Sequence, residues 1–180
     1  ESIIFNPASI NLIKPYNLSF YYNQYIENII YGQLSFAFIY KKYSYAWNIS
    51  YIDKGQIKRT TLLDKDGVKS GLFSASDYSI LFNTSLEITK DLRVGGNIKL
   101  YKFIIDNYSV NGIAFDVGIF NWLLSKPKNL SVGVSILNIG PPVVFIQEKS
   151  SLPIIFKTGA SYKLEFNRIY IMMNVDFNKP

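Results

Sequence analysis

The amino-acid sequence predicts an all-β protein built on an antiparallel sheet, and three observations support this. Apolar and polar residues alternate with a period of two through most of the 180-residue chain, as on strands with two different faces. Turn-forming clusters such as Lys41-Lys42 and Asp106-Asn107 separate the alternating segments. Aromatic residues, which favour strands, make up 16% of the chain.

About nine strands are expected after a lead-in segment. Residues 1–16 are expected to form a lead-in segment, and residues 17–180 are expected to hold the strands. The first strand is expected near residues 18–26, and the alternation then marks 33–40, 43–51, 78–88, 92–100, 113–119, 130–136, 154–163 and 169–177. The two longer connections, 53–76 and 140–152, are the loops expected to carry specificity.

Composition argues against several classes of function. The chain has no cysteine and no histidine, which removes disulfides, thiolate nucleophiles, histidine triads and imidazole metal sites. We therefore expect no enzyme activity, no cofactor and no metal. The net charge of +6 is spread along the chain without a basic cluster, so nucleic acid is not an expected partner. No apolar stretch reaches the roughly 18 residues of a transmembrane helix.

The composition of the polar strand faces indicates whether these faces are exposed to water, as in a soluble sheet, or line the interior of a barrel. They consist mostly of Ser, Asn, Gly and Ala, whereas exposed faces of soluble sheets are rich in Lys, Glu and Thr. Small uncharged residues suit the interior of a closed barrel, and runs of about ten residues are long enough to cross a bilayer at a tilt. The sequence thus favours an antiparallel transmembrane β-barrel with its apolar faces in lipid. A soluble β-sandwich binding module is the alternative.

Seven short pieces occur in an order that resembles the PorV/PorQ branch of the FadL-like outer-membrane proteins. They are Asn6-Pro7-Ala8, Phe73-Ser74-Ala75-Ser76-Asp77, Gly96-Asn97-Ile98-Lys99, the G-x-A-x-D-x-G strand at residues 112–118, Leu137-Asn138-Ile139-Gly140, Leu152-Pro153 and Gly159-Ala160-Ser161-Tyr162. No single piece is specific. Together they span nearly the whole chain.

The resemblance implies a fourteen-stranded barrel in the outer membrane of a Gram-negative-type bacterium, with the lead-in or hatch segment, residues 1–16, entering the lumen. About nine of the fourteen strands are present, so the barrel is expected to be incomplete at its carboxyl end. The implied function is a component of protein secretion to the cell surface, a type 9-like role in receiving or shuttling cargo. Its partners would be outer-membrane lipid and secretion-machinery or cargo proteins. The alternative within the family is a FadL-like channel for hydrophobic small molecules, which would bind a lipid-like ligand.

Three groups of residues are candidate sites. Charges on the inward faces are expected to pair because burial of an isolated charge is costly, with Asp116 joined to Lys99 or Arg93. Their role is either structural or contact with a polar ligand head group. The full set of inward charges is Glu87, Arg93, Lys99, Asp116, Lys157, Lys163 and Asp176.

The other two groups are short segments. Asn6, Pro7 and Ala8 form a turn when considered alone, and the resemblance makes them a hatch motif. Val143, Val144, Phe145 and Ile146 are four apolar residues in an expected loop, which makes them a candidate interaction loop. Folding into the lumen, contact with lipid and contact with a partner are all open for this loop.

Overall fold

The computed structural model describes residues 2–10, 15–89, 92–121, 130–145, 148–166 and 169–179. The predicted all-β class is confirmed. One short helix, α1 (Ser2–Phe5), precedes the strands β1 (Tyr16–Gln24), β2 (Ile30–Tyr40), β3 (Tyr43–Lys58), β4 (Leu72–Glu87), β5 (Leu92–Ile105), β6 (Tyr108–Asn121), β7 (Leu130–Ile139), β8 (Val143–Phe145), β9 (Glu148–Ser150), β10 (Ile155–Phe166) and β11 (Ile169–Lys179).

Nine strands form one antiparallel sheet in the order β1 to β7, then β10 and β11. Each strand pairs with its neighbours in the chain, except that the β8–β9 hairpin stands outside the sheet between β7 and β10. Tight turns at 41–42 and 106–107 join β2 to β3 and β5 to β6, and Lys41 and Asp106 there have φ of 58° and 55°. Within the described residues, β1 pairs only with β2 and β11 only with β10.

The connection between β3 and β4 is shorter than the sequence predicts. The strands continue past the alternating region, so the connection covers 59–71 instead of 53–76. An ion pair of 2.8 Å between Lys54 Nζ and Asp77 Oδ2 joins the extended strands. A register shift between Asp53 and Gln56, with Gly55 at φ +69°, interrupts the alternation there, so the pattern alone does not reveal the extension.

The two faces of the sheet are reversed relative to those of a soluble protein. Phe82, Ile98 and Val117 on one face are 44%, 46% and 49% exposed. Asn97 and Asp116 on the other face are 2% and 1% exposed. Soluble sheets bury the apolar face. Here the chain's own N-terminal segment covers the central part of the polar face, whereas the apolar face is open among the described residues.

No helix in the described ranges is long and apolar enough to cross a membrane.

Candidate functional site

The N-terminal segment, residues 2–10, lies on the polar face of the sheet. Pro7 and Ala8 are buried there. Ile3 and Ile10 are 6% and 3% exposed and belong to one apolar cluster with Ala46 and Leu81. The segment therefore buries Ile3 and Ile10 against the few small or apolar positions that this face offers, whereas Phe5 stays 57% exposed.

Polar side chains of the sheet hold the segment by its backbone carbonyls. Four hydrogen bonds do this: Asn97 Nδ2 to Ile3 O (2.9 Å), Ser135 Oγ to Phe5 O (2.8 Å), Asn83 Nδ2 to Pro7 O (2.9 Å) and Arg93 to Ile10 O (2.7 Å). The last carbonyls of a helix have no partner within it. The sheet satisfies two such carbonyls of α1, those of Ile3 and Phe5.

Asn6 is the residue of the segment whose side chain bonds to the sheet backbone. Its Nδ2 donates to Ile119 O at 3.1 Å and to Val134 O at 3.3 Å, on two neighbouring strands. Its Oδ1 accepts from the N–H of Ala8 at 2.9 Å, which closes a local turn. The predicted motif Asn6-Pro7-Ala8 thus lies where the segment contacts the sheet most closely.

Glycines make this close approach possible. A Cβ on Gly95 would lie 2.6 Å from the backbone carbon of Pro7 and 2.8 Å from the backbone nitrogen of Ala8. A Cβ on Gly118 would lie 2.8 Å from Pro7 Cδ. All three distances are shorter than real Cβ contacts, so a side chain at either position requires the segment to move.

A buried ion pair lies beside the segment. Lys99 Nζ is 2.8 Å from Asp116 Oδ2, and the two side chains are 8% and 0% exposed. Asp116 also accepts hydrogen bonds from Asn97 Nδ2 at 2.7 Å and from the N–H of Asn138 at 2.8 Å. Asn138 Oδ1 in turn accepts from Lys99 Nζ at 3.0 Å. The charges are therefore compensated by fixed polar partners, as burial requires.

The other predicted charges lie in separate places. Glu87 bonds to Arg93 at 3.1 Å, so Arg93 is paired there while Asp116 is paired with Lys99. Lys157 Nζ lies 4.6 Å from the ring centroid of Phe5, a cation–π contact with the N-terminal segment. Lys163 on β10 is half-buried. Asp176 on β11 is exposed and stands opposite Gly159 on β10.

The candidate interaction loop contains a short strand. Val143, Val144 and Phe145 form β8, which pairs with β9. Val143 lies close to Gly112 on β6, where an added Cβ would come within 2.9 Å of Val143 Cγ1. Val144 is 47% exposed. Ile146 lies outside the described residues.

Sequence reasoning missed the asparagines of the site. Asn83, Asn97 and Asp116 stand directly opposite one another on β4, β5 and β6. Asn83 Nδ2 donates to Asn97 Oδ1 at 2.6 Å, so the row is hydrogen-bonded across three strands. In the sequence, each of these residues is one more polar residue on an inward face. The register between the strands is the information that identifies them as a row.

A cavity of about 410 Å³ lies between the N-terminal segment and strands β7 and β10. Phe5, Phe120, Lys157, Ser161 and Asp176 are among its lining residues. No group of three or more potential metal ligands occurs in the part of the chain that the structure describes.

Comparison with known proteins finds no matching family model, no matching curated protein and no matching solved structure.

Proposed function

We propose that the chain forms part of the wall of an outer-membrane β-barrel in a Gram-negative-type bacterium. The reversed sidedness of the sheet carries the proposal. A strand wall in lipid needs apolar side chains on its outer face and tolerates polar ones on its inner face. A sheet whose polar face is covered in its central part and whose apolar face is open fits that requirement.

The extent of the apolar face fits a bilayer. On four neighbouring strands it runs between two rows of residues that stand eight positions apart: Tyr43, Leu86, Val94 and Ile119 at one end, and Tyr51, Tyr78, Lys102 and Asn111 at the other. At about 3.3 Å per residue this is about 26 Å along the strands. Strand tilt reduces the height to roughly 20 Å, and the tyrosines extend it towards the roughly 25 Å of barrel proteins.

Quenching of Trp47 by lipid tests the membrane location. Trp47 is 38% exposed on the apolar face and stacks on Phe36 with a centroid separation of 5.7 Å. The chain has one other tryptophan, Trp122, and a Trp122→Phe variant leaves Trp47 as the sole tryptophan, which is excited selectively at wavelengths that tyrosine does not absorb. In vesicles of lipids brominated along the acyl chain, we expect strong quenching of Trp47. Emission equal to that in unbrominated vesicles would refute the membrane location.

The sandwich alternative has less support. A sandwich requires a second sheet packed on the apolar face. In the described ranges the second sheet is the β8–β9 hairpin, whose strands have three residues each. That is too little to cover the exposed side chains of nine strands.

Within the membrane class we propose a PorV/PorQ-type component of protein secretion to the cell surface. The ordered motifs support this role, and three of them take part in the site: Asn6-Pro7-Ala8, the strand with Asn97 and Lys99, and the strand with Asp116. The N-terminal segment then acts as the hatch that occupies the lumen. Secretion-machinery or cargo proteins are the expected partners.

A FadL-like uptake channel is the second candidate, and the cavity of about 410 Å³ beside the segment favours it. Its volume lies within the range of small-molecule sites. Native mass spectrometry of protein extracted gently from its own membranes separates the two roles. Bound protein with no small adduct supports secretion, whereas adducts of fatty-acid size with no bound protein support uptake.

A further inference from the structure

The tip of the β3–β4 connection exposes two leucines completely. Leu62 and Leu63 are 94% and 101% exposed. Thr61 and Asp64 close the turn around them: the N–H of Thr61 donates to Asp64 O at 3.0 Å, and the N–H of Asp64 donates to Thr61 O at 3.2 Å. Tight turns favour Gly, Pro, Asn, Asp and Ser. Two leucines break that local rule, and such breaks are expected at functional positions.

The turn rests on an ordered support. The Asp64 carboxylate accepts hydrogen bonds from the N–H groups of Val68 (3.2 Å), Lys69 (2.7 Å) and Ser70 (2.7 Å), and from the Ser70 hydroxyl (2.8 Å). At the base of the connection, Arg59 bonds to Asp106 on the next hairpin at 2.6 Å. A surface that is ordered before binding loses less entropy when a partner docks.

Position argues against lipid as the occupant, and this step rests on the proposed function. The continuous apolar face ends at Tyr51 on β3, because the register shifts between Asp53 and Gln56. The strand continues for seven more residues to Lys58, with Ile57 as the one exposed large apolar side chain among them. At about 3.3 Å per residue, Lys58 lies about 23 Å farther along the strand. The leucines therefore stand well outside the bilayer, in water, where a protein surface is the partner that can cover them.

We propose that the Leu62-Leu63 turn docks into an apolar pocket with an acidic rim on a partner protein. Basic residues flank the turn in the sequence: Lys58, Lys65 and Lys69 are exposed, whereas the Asp64 carboxylate is engaged by backbone donors. Asp66 is the exposed acid of the connection. Val68, 79% exposed, enlarges the apolar surface.

Photo-cross-linking from position 63 tests the proposal. A photoreactive phenylalanine replaces Leu63 in the full chain, which is expressed and irradiated in its own intact cells. The matched control carries the same group at Asn107, an exposed position in the tight turn between β5 and β6. We expect a protein adduct from position 63 at several times the yield from position 107. The cross-linked peptide of the partner should combine apolar residues with Asp or Glu.

Two further changes in the same background separate docking from chance contact. Leu62→Ser should lower the adduct yield at least about tenfold, because one buried leucine contributes enough binding energy for that factor. Lys65→Glu should lower it as well, because it places an acid against the acidic rim. Both positions are exposed, and unchanged electrophoretic mobility of the unheated protein verifies folding.

Several results would overturn the docking proposal. They are adducts only with lipid, equal yields from both positions, a partner peptide without acidic residues, or yields that Leu62→Ser leaves unchanged. Failure of the proposed membrane location is recognised separately, because Trp47 would then not be quenched by brominated lipid.

Discussion

The substitution Gly95→Ala should release the N-terminal segment from the sheet. The added Cβ meets backbone atoms of Pro7 and Ala8 at 2.6 and 2.8 Å, and backbone cannot rotate away as a side chain can. Overpacking of this kind typically costs about 1–3 kcal/mol. If that cost falls on the docked state alone, the open fraction rises about 5- to 150-fold, at tenfold for each 1.4 kcal/mol.

Cysteine labelling measures the open fraction without interference, because the chain contains no cysteine of its own. Ile10→Cys places a thiol at a position that is 3% exposed while the segment is docked. Its reaction with a polar maleimide then proceeds through the open state. Gly96→Ala is the matched control, since Gly96 is the next residue, faces the opposite side, and has its closest Cβ neighbour at 3.5 Å, an ordinary contact.

We expect Gly95→Ala to accelerate the labelling of the Ile10→Cys thiol about 5- to 150-fold. Gly96→Ala should leave the labelling rate within about twofold of the parent. Both variants replace glycine by alanine in β5, so the unfolded-state effect of the substitution cancels between them. Equal rates in the two variants would refute the reasoning, because the clash with the segment is the feature that distinguishes them.

Three further predictions concern the buried pair and the β3–β4 connection. Asp116→Asn should lower the free energy of unfolding by about 3–5 kcal/mol. Lys99→Met should lower the free energy of unfolding by less, because Asn97 Nδ2 and the N–H of Asn138 still donate to the remaining Asp116 carboxylate. Denaturant titration in detergent measures both losses. A larger loss for Lys99→Met than for Asp116→Asn would contradict the assigned hydrogen bonds. Asn138→Gly should be better tolerated than Asn138→Ala in the same titration, because φ there is +63° and glycine adopts that region freely; equal losses would contradict this. The Ser70 hydroxyl and nearby N–H groups hold the pKa of Asp64 below its usual value, so the ordering of the connection is present above that value and lost as the pH falls through the folded pKa. Amide exchange at Ser70, corrected for intrinsic rates, should speed up in strong acid in the parent but not in Asp64→Asn, and exchange independent of pH in the parent would contradict the assignment.

The sheet and the chemical character of its two faces follow from the sequence, because alternation is a local property. A strand exposes successive side chains on opposite faces whatever its neighbours are. Residues such as Phe82 and Asn83 could thus be assigned to opposite faces from the pattern alone. The turn at 106–107 was likewise predictable, because it is short and bounded by alternating segments.

The site was less predictable because it depends on register. Asn97 bonds to Asp116 because the two residues face each other across β5 and β6. Asn138 reaches Asp116 because the pairing of β6 with β7 shifts between Phe115 and Val117. A shift of this kind interrupts the alternation, but the sequence does not show which residues of the two strands it brings together. The inward charges could therefore be identified from the sequence, whereas most of their partners could not.

The way in which the segment is held suits a hatch that can leave. Four side chains of the sheet bond to its carbonyl oxygens, which every residue carries, and one side chain, Asn6, bonds to the sheet backbone. Each neutral bond contributes about 0.5–1.5 kcal/mol net, because water replaces it on release. The segment is therefore held by several weak contacts, by the burial of Ile3 and Ile10, and by the close fit at Gly95 and Gly118. In the proposed hatch role, a partner that supplies competing donors and a little apolar surface would displace the segment stepwise, whereas a single strong anchor would have to break at once.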